Sequence, residues 1–386
     1  MFIIGVLIIA IAASAISIKT LVGYTEMPLL VKILISLVIV FSWFAPLIIA
    51  TFRNYDLVSP SVFSYISNIG YFLFGTAFIL LILLVFRDFI WFAFYESARL
   101  FRSPYAASLN PSTVKSLNYA NIYTVALTIL LAFYALYEGI KTPAIKEITL
   151  ESPKLKQEYT IVQLSDLHIN RSIPVSRIEN LVKLVNGLKP DIILLTGDIG
   201  DDKVEAVEPQ MAALEQLDSK YGIFAVFGNH EFYNGLMPWQ FKFGKMGWSA
   251  LFNYGLPVKD TELYIGGIPD VSIAAGSPFF KIDINRTLDN SSEGEYKILL
   301  SHTPNFQKAM ISKQQFDLQL SGHTHGGQIF PFHLLVKQAN KYLAGMYDVH
   351  DTKLYVSRGT GYWGPPMRLL APSEITVIRL KPESEN

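Results

Sequence analysis

Four long apolar runs in the first third of the sequence constrain this chain more than any other feature. They cover residues 1–18, 27–50, 67–86 and 117–137, and Lys32 is the one charged residue among them. Each run is roughly 20 residues long, the length that a helix needs to cross the hydrocarbon core of a bilayer. We therefore predict four membrane-spanning helices. The hydrophobic fraction of 51% agrees with a chain that is partly embedded in a membrane.

Two shorter features belong to the same region. Residues 1–18 have an alternative interpretation as a signal peptide cut near residues 13–15, but no basic residues precede the apolar run, as they do in signal peptides. The aromatic run at residues 89–95 is too short to span and is flanked by charges. It is therefore predicted to lie in the membrane interface, where aromatic rings are favoured.

The distribution of lysine and arginine gives a weak prediction of orientation. With four spans, the loops on one side carry six basic residues: Lys19, Lys32, Arg87, Arg99, Arg102 and Lys115. The segments on the other side carry five: Arg53, Lys141, Lys146, Lys154 and Lys156. Because the side richer in lysine and arginine tends to be cytoplasmic, the C-terminal part is predicted to be extracytoplasmic.

Charge and cysteine content exclude several classes of function. The chain has 32 basic and 32 acidic residues, so no overall basic field attracts nucleic acid, and nucleic acid is not an expected partner. Cysteine is absent. Disulfides, thiolate metal sites and a cysteine nucleophile are therefore excluded.

Near residue 146 the pattern of apolar and polar residues changes to that of an α/β domain. We divide the chain into a helical membrane region, residues 1–146, and a C-terminal domain, residues 147–386. In the latter, "YTIVQL", "DIILLT" and "IFAVF" are predicted strands, and apolar residues at helical spacing lie between them. Such alternation predicts parallel strands covered by helices.

Later strands lack regular helices between them. The segments "ELYIGGI", "YKILLSH", "FDLQLSGH", "KLYVSRG" and "EITVIRL" predict a second, more mixed sheet. The fold class is therefore α/β, with two sheets packed together and helices outside.

The ends of the predicted strands carry polar side chains. Eight follow five strands: Asp166, His168, Asp198, Asn229, His230, His302, His323 and His325. Because ligands in α/β sheets gather beyond the carboxyl ends of strands, these residues are predicted to converge in one crevice. Carboxylate, imidazole and amide groups suit divalent metals, and eight are too many for one tetrahedral ion. Two ions that share a carboxylate would use them.

Each motif alone has a simpler explanation. "SDLH" is compatible with a helix cap beside a surface histidine, and "GD" or "GNH" with an ordinary turn. "GHTH" is more specific, although a pair of core histidines would produce it too. The order of the motifs and their position at strand ends favour the metal site.

The ordered motifs "DLH", "GD", "GNHE", "SH" and "GHTH" resemble those of the calcineurin-like metallophosphoesterases, over about residues 147–380. "SGHTHGGQ" and "SRGTGYWGPPMRLLAPSEITVIRL" are most similar to the bacterial membrane-associated YaeI/YkuE-like branch. This resemblance implies a four-layer αββα sandwich after the membrane helices, a multi-pass protein of a bacterial cell membrane, and two divalent ions of Mn, Fe or Zn, with Mn favoured.

The resemblance also implies a role for each site residue. The first metal would be held by Asp166, His168 and His325, and the second by Asn229, His302 and His323. Asp198 would bridge them. His230 would lie near the substrate phosphate, and Glu231 would orient it.

Two metals at such a site would activate a water molecule for attack on a phosphomonoester or phosphodiester, without a covalent enzyme intermediate. "GDIGDD" departs from the "GDxVDRG" of protein serine/threonine phosphatases, so a phosphoprotein substrate is disfavoured. The missing arginine leaves Arg171, Arg358 and Arg368 as candidate phosphate contacts.

Two aromatic segments, residues 232–252 and 330–347, follow directly after "GNHE" and "GHTHGG". They either enter a membrane surface or cap the domain core. The first alternative favours a lipid-linked phosphate substrate. The other possibilities are a small soluble, nucleotide-like phosphodiester and a non-catalytic phosphate-binding membrane scaffold. The sequence does not define the oligomeric state.

Overall fold

The computed structural model describes residues 2–23, 25, 27–55, 57–110, 116–276, 280–306 and 315–383. Lys115, which entered the comparison of basic residues, and residues 384–386 of the C-terminal domain lie outside this set. The chain forms two compact units, Met1–Tyr137 with Gly364–Met367, and Glu138–Trp363 with Arg368–Asn386. The predicted boundary at residue 146 and the predicted orientation stay predictions.

The N-terminal unit is helical. Its helices are α1 (Phe2–Ile18), which continues into a π-helical turn at Lys19–Gly23, α2 (Leu29–Tyr55), α3 (Pro60–Leu100) and α4 (Ser116–Ile140). In the part of the chain that the structure describes, four helical stretches are long and apolar enough to cross a membrane: Ile4–Gly23, Leu29–Tyr55, Pro60–Leu100 and Tyr119–Ile140. This confirms the predicted helical region. The run at residues 89–95 is not a separate element, because α3 continues through it without a break.

The C-terminal unit is built on two six-stranded mixed sheets. The first contains β1 (Ala144–Ser152), β2 (Tyr159–Leu164), β3 (Ile192–Thr196), β4 (Ile223–Val226), β5 (Ser249–Ala250) and β12 (Glu374–Pro382). Its order is β1-β12-β2-β3-β4-β5. Strands β2 to β5 are parallel, as the alternation of strands and helices predicted.

The second sheet contains β6 (Tyr254–Pro257), β7 (Leu263–Gly267), β8 (Tyr296–Leu300), β9 (Leu318–Ser321), β10 (Gly345–Val349) and β11 (Thr352–Val356). Its order is β10-β11-β9-β8-β7-β6, and β7, β8, β9 and β11 run parallel. One expectation was wrong. "EITVIRL" forms β12, which lies in the first sheet, antiparallel to β2 and parallel to β1, because it pairs there with segments distant in sequence that its apolar pattern does not specify.

Helices cover the outer faces of both sheets. They are α5 (Val175–Gly187), α6 (Glu208–Leu214), α7 (Asn229–Asn234), α8 (Leu236–Lys245), α9 (Val271–Gly276) and α10 (Ile284–Leu288). A further helix, α11 (His333–Asn340), follows the His325 turn. In α5, Ile178, Leu181, Val182 and Val185 recur at helical spacing and are buried. They belong to the core between the first sheet and its helices.

Two further layers of core complete the domain. Side chains such as Ile161, Leu194, Ile265 and Ile298 are fully buried between the two sheets. On the outer face of the second sheet, Ile268, Leu299 and Phe316 pack with partly buried residues near α9 and α10. The four-layer αββα sandwich is therefore confirmed, and it brings the carboxyl ends of the parallel strands of both sheets to one crevice.

Candidate metal centre

The predicted site residues lie directly beyond the carboxyl ends of strands from both sheets. Asp166 and His168 follow β2, Asp198 follows β3, and Asn229 begins α7 after β4. From the second sheet, His302 follows β8, and His323 and His325 follow β9. The structure brings all seven together, and each is buried or nearly so.

Backbone conformation at the site is unusual. Five of these residues have φ in the left-handed region, which a non-glycine residue seldom adopts: Asp166 at 54°, His168 at 47°, Asp198 at 51°, His323 at 67° and His325 at 50°. Such strain is stored where function requires it. The turns are also crowded, since a Cβ atom on Gly228 would lie 2.2 Å from Asp198 Oδ1, and one on Gly322 would lie 2.3 Å from Asp166 Oδ2.

One half of the centre is formed by Asp166, His168 and His325, whose ligand atoms lie within 4.8 Å of one another. His168 Nε2 lies 2.9 Å from His325 Nε2, and His325 Nε2 lies 3.3 Å from Asp166 Oδ1. Asp166 is held in place by Ser165 Oγ, which donates to it at 2.6 Å, and by the backbone amide of His323. These contacts leave three ligand groups facing one point.

The other half is formed by Asp198, His302 and His323, again within 4.8 Å of one another. His302 Nε2 lies 3.1 Å from Asp198 Oδ2 and 3.3 Å from His323 Nδ1. His302 Nδ1 donates to the carbonyl of Thr196 at 2.8 Å, so its Nε2 is directed into the site. Asp198 also lies 3.7 Å from His168 Nε2, so this carboxylate lies between the two halves.

The electrostatics of the site favour cations. Burial lowers the pKa of His168 to about 3, with a further contribution from the charge of His230, and burial and His302 lower the pKa of His323 to about 4. Burial also holds the pKa of His325 well below its usual range. These three imidazoles are therefore neutral and offer lone pairs. Burial raises the pKa of Asp166 to about 6, although the charge of His302 opposes this shift.

Asp198 behaves differently. Its burial alone would raise the pKa, but the positive charge of His302 and His230 together with a hydrogen bond from His302 holds it well below the usual range. Asn229 supplies a further donor atom, since its buried Oδ1 has no hydrogen-bond partner among the residues that the structure describes. The residues present therefore fit two divalent cations that share Asp198.

His230 lies beside this set, and its side chain is largely buried, with 12% of its surface exposed. Its Nδ1 lies 2.6 Å from Asp201 Oδ1, and its Nε2 lies 3.9 Å from Asp198 Oδ2. Although burial would lower the pKa of His230, Asp198 and Asp201 raise it to about 9. Sequence reasoning missed Asp201, although the second carboxylate of "GDIGDD" was the available signal.

Glu231 was predicted to orient His230, and this role stays a prediction. Its fully buried carboxylate accepts from the backbone amides of Asp198, Gly200 and Gly228 at 3.1, 2.9 and 2.7 Å. Burial raises the pKa of Glu231 to about 7. Glu231 thus ties the turn after β3 to the turn after β4, and Asp201 orients the imidazole.

The three arginines considered as phosphate contacts are engaged elsewhere. Arg171 pairs with Asp202 at 2.8 Å, and Arg358 pairs with Glu374 at 2.9 Å. Arg368 is fully buried and donates to backbone carbonyls, including that of His325 at 3.2 Å. Arg368 therefore supports the loop that carries His325.

The two aromatic segments differ. In residues 232–252, Trp239, Phe243 and Trp248 are buried in the core between the first sheet and its helices, so this segment mainly caps the core. In residues 330–347, helix α11 has no buried residue, and Leu334 and Leu335 are 61% and 60% exposed.

Comparison with known proteins agrees with this geometry. The sequence profile of the family described as calcineurin-like phosphoesterase matches residues 159–327. An "Uncharacterized metallophosphoesterase" of Helicobacter pylori is 38% identical over 255 residues, which cover 64% of this chain and 67% of that protein. The metallophosphoesterase YkuE of Bacillus subtilis is 32% identical over 242 residues, covering 58% of this chain and 79% of that protein.

A relative from Danio rerio also matches. This "Transmembrane protein with metallophosphoesterase domain" is 32% identical over 272 residues, which cover 67% of this chain and 62% of that protein. The ordered strand-end residues, their convergence into two half-sites and these similarities lead to one conclusion: the chain belongs to the calcineurin-like metallophosphoesterase family.

Proposed function

We propose that this chain is a membrane-anchored phosphoesterase that uses two divalent metal ions, preferably Mn²⁺, to hydrolyse a phosphomonoester or phosphodiester on a membrane lipid. The observation that carries the proposal is the position of Asp198. One of its oxygens lies 3.1 Å from His302 and 3.7 Å from His168, which belong to different halves of the centre. Such a shared carboxylate is what a two-metal phosphoesterase requires.

The ligand set divides into two groups around this carboxylate. Asp166, His168 and His325 would hold one ion, and Asn229, His302 and His323 the other. When bound, such ions polarise a phosphoryl oxygen and lower the pKa of water to near neutrality. The chain contains no cysteine, and no serine or threonine is assigned as a nucleophile. We therefore propose that water is the attacking group.

His230 is proposed as the general acid. Its Nδ1 faces Asp201 and its raised pKa keeps the ring protonated, so Nε2 holds a proton that can pass to the leaving oxygen. The hydrogen bond from Nδ1 fixes the orientation of the ring. Glu231 holds the two turns that carry Asp198 and Asn229 at constant separation.

Exposed apolar side chains near His230 support a lipid substrate. The rings of Tyr233 and Trp363 lie 5.6 and 6.1 Å from the His230 ring, and the two residues are 67% and 51% exposed. Phe330, Phe332, Leu334 and Leu335 follow the His325 turn and are also exposed. A soluble substrate would not need this apolar rim, whereas acyl chains or a bilayer surface would cover it.

The test uses the full-length chain in lipid nanodiscs, after metal analysis. The probes are p-nitrophenyl phosphate, bis-p-nitrophenyl phosphate, phosphatidic acid and phosphatidylglycerol, which represent soluble and lipid monoesters and diesters. We expect Mn²⁺-dependent turnover of a lipid probe, and a loss of about 10³-fold or more in Asp198→Asn. The matched control is Asp289→Asn, which replaces an exposed carboxylate.

The outcomes separate the alternatives. Turnover confined to the soluble probes would overturn the lipid assignment and favour a nucleotide-like phosphodiester. Absence of bound metal and of turnover with all four probes would favour a phosphate-binding scaffold.

A further inference from the structure

Asp270 lies at the same edge of the second sheet as two histidines of the metal centre. Strands β7, β8 and β9 are parallel, and their registers align Gly267 with Leu300 and Leu300 with Leu320. Three, two and three residues after these aligned positions come Asp270, His302 and His323. Since parallel strands end at the same edge, a carboxylate leaves the sheet beside two imidazoles of the second half of the centre.

The side chain of Asp270 is fully buried, and its two oxygens have different surroundings. Oδ1 accepts from the backbone amides of Ser272 and Ile273 at 2.9 and 3.2 Å, and from Ser272 Oγ. Oδ2 has no hydrogen-bond partner among the described residues. Because a buried carboxylate oxygen without a partner is unfavourable, this atom needs a positively charged or proton-donating neighbour.

Helix α9, which starts directly after Asp270, packs against α7. The first residue of α7 is Asn229, which is proposed to bind the second ion with His302 and His323. The carboxylate of Asp270 also interacts electrostatically with His302 and His323 of the second half of the centre.

Asp270 is not itself a member of either tight ligand set. The two halves nevertheless differ in charge without it. The first half has Asp166 as well as the shared Asp198, whereas Asn229, His302 and His323 are all neutral as ligands, so the second half has the shared carboxylate alone. A divalent cation there is therefore less well compensated, and Asp270 is a buried carboxylate near these ligands.

We propose that Asp270 is a positioning residue that sets the affinity of the Asn229, His302 and His323 half for its divalent cation, while its Oδ1 caps α9. This inference rests on the proposed two-metal centre. Loss of a partner just outside the ligands typically weakens metal binding 10- to 100-fold.

Two substitutions separate the charge from the cap. Asp270→Asn keeps the shape of the side chain and an Oδ1 acceptor for Ser272 and Ile273, but removes the charge. Asp270→Ala removes both. The control is Asp289→Asn, which replaces an exposed carboxylate.

The experiment titrates Mn²⁺ into the metal-stripped full-length chain in detergent by calorimetry, and measures the unfolding temperature with and without Mn²⁺. We expect wild type and Asp289→Asn to bind two ions. Asp270→Asn should bind one ion as wild type does and the other 10- to 100-fold more weakly. Its metal-free unfolding temperature should not fall, whereas that of Asp270→Ala should.

Three results would contradict the inference. If Asp270→Asn binds both ions with wild-type affinity, Asp270 is only a helix cap. If it weakens both ions equally, its action is not confined to the second half. If wild type binds fewer than two ions, the proposed two-metal centre is wrong, and the proposed role of Asp270 is wrong as well.

Discussion

Asp201 Oδ1 lies 2.6 Å from His230 Nδ1, while the other ring nitrogen of His230 faces Asp198 at 3.9 Å. The imidazole is thus held between two carboxylates, one that orients it and one that belongs to the metal centre. Both negative charges contribute to its raised pKa. Under the proposed function, Asp201 and His230 act as a pair.

We expect Asp201→Asn to lower kcat by about 10²-fold with little change in metal content, because the proton donor loses its orienting charge. His230→Asn should lose at least as much. Since the two residues act as a unit, the double variant should be no slower than His230→Asn. Steady-state kinetics on bis-p-nitrophenyl phosphate would show this, and strictly additive losses would mean that the two residues act independently.

The second prediction concerns Arg368. Its guanidinium donates to the carbonyls of Gly361 at 2.6 Å, Ala371 at 2.8 Å and His325 at 3.2 Å, and burial lowers its pKa to about 10. A lysine side chain cannot donate hydrogen bonds to all of these carbonyls at once. We expect Arg368→Lys to lower the free energy of unfolding by about 3 kcal/mol, since it leaves buried carbonyls unpaired.

We also expect the position of His325 to be disturbed in this variant. The affinity of the Asp166, His168 and His325 half for metal should therefore fall. Urea unfolding and Mn²⁺ titration measure the two effects, with Arg379→Lys as the control on a partly exposed strand residue. A raised KM with unchanged stability would instead indicate that Arg368 binds substrate phosphate.

Much of the site was predictable from sequence because parallel strands bring their carboxyl ends together. The polar residues after "YTIVQL", "DIILLT" and "IFAVF" could therefore be placed in one crevice from the sequence alone. The same logic could not place "EITVIRL". A strand that is buried on both faces fits either sheet by its pattern alone, and its pairing with β1 and β2 depends on contacts distant in sequence.

The partners of Glu231 were beyond such reasoning for a related reason, and so was the position of Asp270 at the edge of the metal centre. Glu231 follows His230 in sequence, yet its carboxylate reaches the backbone at Asp198 and Gly200, about thirty residues earlier. Asp270 lies in a segment without a recognised motif. Hydrogen bonds between loops depend on the exact course of the backbone, which periodicity does not encode.

The third prediction concerns Tyr264 on β7, the strand that leads to Asp270. Its hydroxyl donates to the carbonyl of Thr287 at 2.8 Å, and burial raises its pKa to about 12. In the unfolded chain the pKa is about 10. The stabilising contribution of Tyr264 is therefore fully present below pH 10 and is lost as the pH rises through 12.

Tyr264→Phe lacks both the hydrogen bond and this titration. We expect it to be less stable than wild type by about 1 kcal/mol at pH 8, with the difference in unfolding temperature narrowing between pH 10 and 12. Other buried tyrosines titrate equally in both proteins, so the comparison isolates Tyr264. A difference that stays constant with pH would contradict the assignment.

The last prediction tests the apolar rim. Leu334 and Leu335 lie on α11, which has no buried residue, so replacing them should not unfold the domain. We expect Leu334→Ser with Leu335→Ser to lower turnover of lipid probes in nanodiscs about tenfold, because roughly 1.5 kcal/mol or more of apolar burial against lipid is lost. Turnover of bis-p-nitrophenyl phosphate should be unchanged.

The matched control, Met237→Ser with Phe241→Ser, removes similarly exposed side chains from α8 and should leave both activities near wild type. Equal losses on soluble and lipid probes in the α11 variant would mean that these leucines support the fold and do not contact lipid.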